Sequence, residues 1–112
     1  MASPRPERPL AALLGKGARY SGDLSFEGRV RVDGHFKGRI FTEDTLEIGE
    51  GGEVDGDIDA AWLVVAGTAR GTIHVRERLV LHPGSQLYGK VDAAAVEAHV
   101  GAHIDCNLKV GS

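Results

Sequence analysis

Val30-Arg31-Val32, a gap of three residues, then Phe36-Lys37-Gly38-Arg39-Ile40: this stretch decides the fold, because the chain repeats its frame. The frame returns as Leu46-Glu47-Ile48 with Val54-Asp55-Gly56-Asp57-Ile58, and as Leu63-Val64-Val65 with Ala69-Arg70-Gly71-Thr72-Ile73. It returns again as Leu79-Val80-Leu81 with Leu87-Tyr88-Gly89-Lys90-Val91, and last as Val96-Glu97-Ala98 with Ile104-Asp105-Cys106-Asn107-Leu108, where cysteine takes the glycine place. Tyr20-Ser21-Gly22-Asp23-Leu24 is a partial first copy. The first apolar residues of successive complete copies lie 16, 17, 16 and 17 residues apart.

Within each copy apolar and polar residues alternate, the period of a strand and not of a helix. The alternation continues past the glycine, as Leu24/Phe26, Ile58/Ala60, Ile73/Val75, Val91/Ala93 and Leu108/Val110. Each copy is therefore expected to form three short strands separated by bends. No copy can bury its inward side chains alone, so the copies must stack. Six turns at ~4.8 Å each give a solenoid about 29 Å tall. The gap of three or five residues marks one corner, where length is tolerated.

The columns that stacking creates test this frame. Leu24, Ile40, Ile58, Ile73, Val91 and Leu108 form one wholly aliphatic inward column, and Val32, Ile48, Val65, Leu81 and Ala98 another. Outward, Lys37, Asp55 and Arg70 alternate in sign, as do Asp23, Arg39 and Asp57, and Arg31 falls over Glu47. Like charges are avoided across neighbouring strands, and these polar positions are independent of the apolar columns that define the frame. Each surface pair is worth under ~1 kcal/mol, so their contribution is to alignment more than to stability.

Composition agrees with one such domain. The 112 residues are 42% hydrophobic, and the 16 glycines are spread along the chain at about twice the usual frequency. A net charge of −3 gives no general basic footprint for nucleic acid, which is not expected as a direct partner. The one cysteine excludes an intramolecular disulfide and a self-contained cysteine-cluster zinc site. No apolar run approaches the ~18 residues of a membrane-spanning helix, and Leu10 to Leu14 is too short for a secretory h-region. The expected location is the cytoplasm, with membrane association left open. Residues 1–12, carrying Pro4, Pro6 and Pro9 with Arg5 and Arg8, read as a flexible tail, residues 13–110 as the solenoid, and 111–112 as a frayed end.

The runs Gly34-His35-Phe36-Lys37-Gly38-Arg39-Ile40, Ile48-Gly49-Glu50-Gly51-Gly52-Glu53-Val54-Asp55-Gly56-Asp57-Ile58 and Val65-Ala66-Gly67-Thr68-Ala69-Arg70-Gly71-Thr72-Ile73 together resemble the bactofilin family. The resemblance covers roughly residues 15 to 110. It implies an all-β fold, a right-handed parallel β-helix of about six three-strand turns. It also implies nucleotide-independent assembly into bacterial cytoskeletal filaments that scaffold envelope, morphogenesis or chromosome-segregation factors, with protein partners or the membrane bound through the tails. The sequence departs from the family pattern at Ile104, where an aromatic is common, at Cys106, and at Ala69, which narrows its turn.

Physics supplies a separate reason to expect self-association. A solenoid has two open ends with unpaired backbone groups and uncovered core, the edge problem of any sheet. Ile104, Leu108 and Val110 are the expected contacts at one end, and Leu13, Leu14, Leu24 and Phe26 at the other. A head-to-tail join would propagate with polarity, whereas like-to-like joins would give a filament without it. Sequence physics leaves both open; the resemblance favours the second.

Other residue groups combine side chains that could bind a partner or an ion with plain surface roles. Trp62 should point outward with Val64, beside Arg78 and Val80 of the next turn, a small apolar patch for lateral bundling or a partner. Arg5 and Arg8 are the tail residues expected to recruit a protein or a membrane. His82 and His99 occupy equivalent places near His103 and Asp105, and stacked solvent-facing rings are favoured there over a zinc site. Asp55, Asp57 and Asp59 share one side, where a solvated acidic band is favoured over a cation site. The spacing of Gly22, Gly28 and Gly34 hints at a hexapeptide acyltransferase, but Gly38 breaks it; no converging catalytic set, cofactor or small-molecule substrate is expected. A solenoid adaptor for protein or membrane is the alternative to a scaffold filament.

Overall fold

The computed structural model describes residues 10–111, with side chains from Leu13 onward. Ten strands follow one another: β1 (Leu10–Leu14), β2 (Arg19–Phe26), β3 (Arg29–Val32), β4 (His35–Thr42), β5 (Thr45–Ile48), β6 (Glu53–Val65), β7 (Thr68–Leu81), β8 (Gln86–Ala93), β9 (Val96–Ala98) and β10 (His103–Val110). Every pairing between them is parallel. The described chain contains no helix.

Two ladders run the height of the molecule. One stacks β1, β3, β5, the end of β6, the end of β7, and β9. The other stacks β2, β4, the start of β6, the start of β7, β8 and β10. Six turns result, and the molecular extents of 29 × 27 × 24 Å accommodate the expected height.

The register matches the sequence columns. Leu24 lies opposite Ile40, which lies opposite Ile58, then Ile73, Val91 and Leu108. Val32, Ile48, Val65, Leu81 and Ala98 align likewise. Through the middle turns these inward residues are almost completely removed from water and form one continuous core.

Glycine makes the bends without breaking the ladder. Gly22, Gly38, Gly56, Gly71 and Gly89 stack in register, each with φ between 105° and 137°. A side chain is strained in that conformation. Space forbids it as well: a Cβ on Gly56 would run into the carbonyl oxygen of Gly38 in the turn before. The segments before and after each glycine are therefore one bent strand, where the repeat alone predicts two separate ones. β6 and β7 also run through the next corner, where they pair with each other on both sides of it. Two irregularities occur: one on β1 between Leu10 and Ala12, and one between Ala60 and Trp62, where Ala61 faces both Arg76 and Glu77.

The ladder begins earlier than the expected boundary at residue 13. Leu10 already pairs with Arg29, so Leu10–Ala12 belong to the solenoid. Pro9 is the last residue of the region that lacks an amide donor, and pairing starts directly after it. The remainder of the expected tail, with Arg5 and Arg8, lies outside the described residues.

Candidate functional site

The two ends of the solenoid differ from its middle in one measurable respect. In the fifth turn Leu87, Val91 and Ala93 are at most 1% exposed. Their partners in the last turn, Ile104, Leu108 and Val110, are 39%, 37% and 54% exposed. Inward direction alone thus does not bury a side chain here; a further turn must cover it. β10 pairs only with β8 and β9 only with β7 among the described residues, which leaves the outer backbone edge of each unpaired.

At the opposite end β1 pairs only with β3, and β2 only with β4, among the described residues. The structure divides the leucine pair placed there by sequence. Leu13 is 55% exposed, whereas Leu14 is buried in the core. The alternation of a paired strand explains the split: neighbouring residues point to opposite faces. Leu24 and Phe26 are half-buried, packed against the core from one side. Tyr20, which heads the column continued by Phe36, is also exposed.

A groove of about 860 Å³ crosses the outer face of the ladder that contains β5, β6, β7 and β9. Its floor is built from small side chains, Val64, Ala66 and Val80, on strands whose inner face is core. Trp62 and Arg78 stand on one side of that floor, and His82 and His99 lie on the other. The Arg78 guanidinium lies 5.7 Å from the Trp62 ring centroid and 3.3 Å from Glu97. The Trp62 indole donates to Glu77 at 2.8 Å. Sequence reading missed Glu77 because the alignment does not register the irregularity that brings it opposite Ala61. Val80 needs a correction: expected to face water, it is 9% exposed. Arg78 on its own strand and His82 just beyond the strand's end flank it, and Glu97 faces it in register, leaving little water access.

The charged columns are paired in part. Arg39 lies 3.6 Å from Asp57, and Arg31 3.6 Å from Glu47 and 3.0 Å from Asp33. The hydrogen bond with Asp33 is the main reason the Arg31 guanidinium is held even more firmly protonated than usual. Arg70 departs: it reaches diagonally to Glu53 at 3.2 Å and stacks over Tyr88, although Asp55 is its register partner. Of the acidic band, Asp57 is thus bound to Arg39 and Asp59 to Arg76 at 2.7 Å.

His82 and His99 stack with centroids 5.8 Å apart, and Glu97 contacts His99 at 3.0 Å. His103 turns away from them to the Tyr88 ring. No group of three or more potential ligands that could hold a metal occurs among the described residues. No helix of the described chain is long and apolar enough to cross a membrane.

No curated protein and no solved structure matches the chain. A family profile does: Bactofilin, described as polymer-forming cytoskeletal, over residues 12–109. That span takes in the glycine column, both ladders and the uncovered turns at either end, so the chain belongs to the bactofilin family of polymer-forming cytoskeletal proteins.

Proposed function

We propose that this chain is a bacterial scaffold that polymerises end to end without nucleotide, through apolar faces at both ends of its solenoid. The observation that carries this reading is the rise in exposure from Leu87, Val91 and Ala93 to Ile104, Leu108 and Val110 within one turn of identical geometry. A second copy supplies the missing cover: its own terminal turn presents apolar residues and an unpaired strand edge of the same kind. Leu13, Leu24 and Phe26 serve the opposite end, and Leu14 supports them from the core. Because like meets like at each junction, the filament has no overall polarity. Nucleotide plays no part, since the join needs only apolar burial and backbone pairing.

The filament is read as cytoplasmic, holding envelope, morphogenesis or chromosome-segregation factors in place. Arg5 and Arg8 of the tail and the lateral patch of Trp62, Val64, Arg78 and Val80 are the surfaces that would hold a partner, because stacking at the ends leaves both free. Sedimentation of the purified chain with and without nucleotide tests the assembly. Wild type should pellet equally in both, and Ile104→Arg should stay in the supernatant with its β circular dichroism intact. An Ile104→Arg protein that pellets like wild type would remove this end from the account.

A further inference from the structure

We propose that the groove across Trp62 is the docking site of the chain's own residues 1–9, laid over the indole in an extended, proline-rich conformation. The inference is independent of end-to-end assembly, because the groove lies on the side of the solenoid.

Position argues for this occupant. β1 starts at Leu10, which pairs with Arg29, one residue before the row Val30, Leu46, Leu63 and Leu79. Trp62 and Arg78 likewise stand one residue before that row. The chain therefore enters the solenoid at the lateral position of Trp62, on the same ladder. Three strand spacings of ~4.8 Å separate β1 from the Trp62 segment of β6, about 14 Å in all. A proline-rich segment advances ~3.1 Å per residue, so about five residues bridge that distance and bring Arg5 over Trp62.

Chemistry agrees with position. In an extended helix of three residues per turn, every third residue shares a ridge. Pro6 and Pro9 then form one ridge, Arg5 and Arg8 a second, and Pro4 and Glu7 the third. The proline ridge matches the aromatic and aliphatic surface of Trp62, Val64 and Val80, as proline segments generally dock on aromatic-lined grooves. The arginine ridge meets the groove's carboxylates. Among these, Glu50 lines the groove and has no ion-pair partner among the described residues, while Glu47 on β5 and Glu97 on β9 are already paired with Arg31 and Arg78. A docked tail covers the lateral patch, so recruitment through the tail and contact through the patch become alternative states of one surface.

Trp62 is the chain's one tryptophan, so its fluorescence reports this face alone. The test compares the full-length chain with full-length Arg5→Glu/Arg8→Glu and Pro6→Gly/Pro9→Gly, which leave all described residues unchanged. Both variants should red-shift the emission and raise its quenching by acrylamide. A synthetic peptide of residues 1–9 should reverse the shift in the charge variant, and its charge-reversed form should not. Unchanged emission and quenching in both variants would overturn the proposal. So would a shift that follows protein concentration equally in wild type and variants, since that would place a second copy on the face. Sedimentation run on the same samples separates either result from a change in filament content.

Discussion

The Arg76 guanidinium donates to the Asp59 carboxylate at 2.7 Å, and this one pair clamps the corner through which β6 and β7 run unbroken. Arg76 also donates to the Thr42 carbonyl at 2.8 Å and stacks 5.2 Å from the Phe41 ring. Phe41 and Thr42, Asp59, and Arg76 belong to three successive turns, so a single side chain ties all three together.

Replacing that side chain should cost more than removing an ordinary surface ion pair. Arg76→Ala should lower stability by about 1–2 kcal/mol, the worth of charge-assisted hydrogen bonds lost at a partly buried site. Arg76→Lys should recover only part, because one ammonium cannot replace a planar group that forks and stacks. Urea unfolding of the two variants measures the difference, and equal stability of Lys and Arg would contradict the clamp.

The glycine column makes a sharper steric prediction. Gly56→Ala places a methyl group against the Gly38 carbonyl, whereas Gly22→Ala meets nothing within 4 Å. Both positions have left-handed φ, 137° and 120°, so both variants carry backbone strain of about 1–3 kcal/mol. Only Gly56→Ala adds a clash with backbone that cannot move without spreading two turns. Thermal unfolding should therefore rank Gly56→Ala well below Gly22→Ala. Equal losses would mean that φ alone, and not close stacking, selects glycine.

Cys106 takes the column's last position, opposite Gly89. Burial, and then the charge of Asp105, push its thiol pKa up. The thiolate is the reactive form, and a free thiol has a pKa of about 8.5. At neutral pH Cys106 should therefore alkylate more slowly than free cysteine, and its rate should keep climbing above the pH where an ordinary thiol levels off. Asp105→Asn should bring the profile part of the way back. Iodoacetamide kinetics followed by mass spectrometry supply the check; a rate at pH 7 equal to that of free cysteine would contradict the assigned environment.

Legibility from sequence followed the physics of each contact. The register of Ile40 on Ile58 on Ile73 could be read directly, because strand alternation and a bend every turn leave one alignment that keeps aliphatic residues together. The preference of Arg70 for Glu53 could not, since a long side chain chooses among diagonal neighbours by reach and not by spacing. The Arg76 clamp and the Glu77–Trp62 bond were hidden for another reason. They arise at an irregularity whose residues have no counterpart in the other copies. Thr42, Asp44 and Thr45 are buried at that same corner although all three are polar. Their burial depends on the turn stacked above them: the Asp44 carbonyl accepts the amides of Ala61 and Trp62. The early start of β1 was masked by the three prolines that precede it.

Negative-stain microscopy of the purified full chain, without nucleotide, bears most directly on the uncovered terminal turns. The account predicts thin filaments built from a repeating solenoid, shortened to small units by Leu108→Arg. A chain that remains strictly monomeric at high concentration would contradict it.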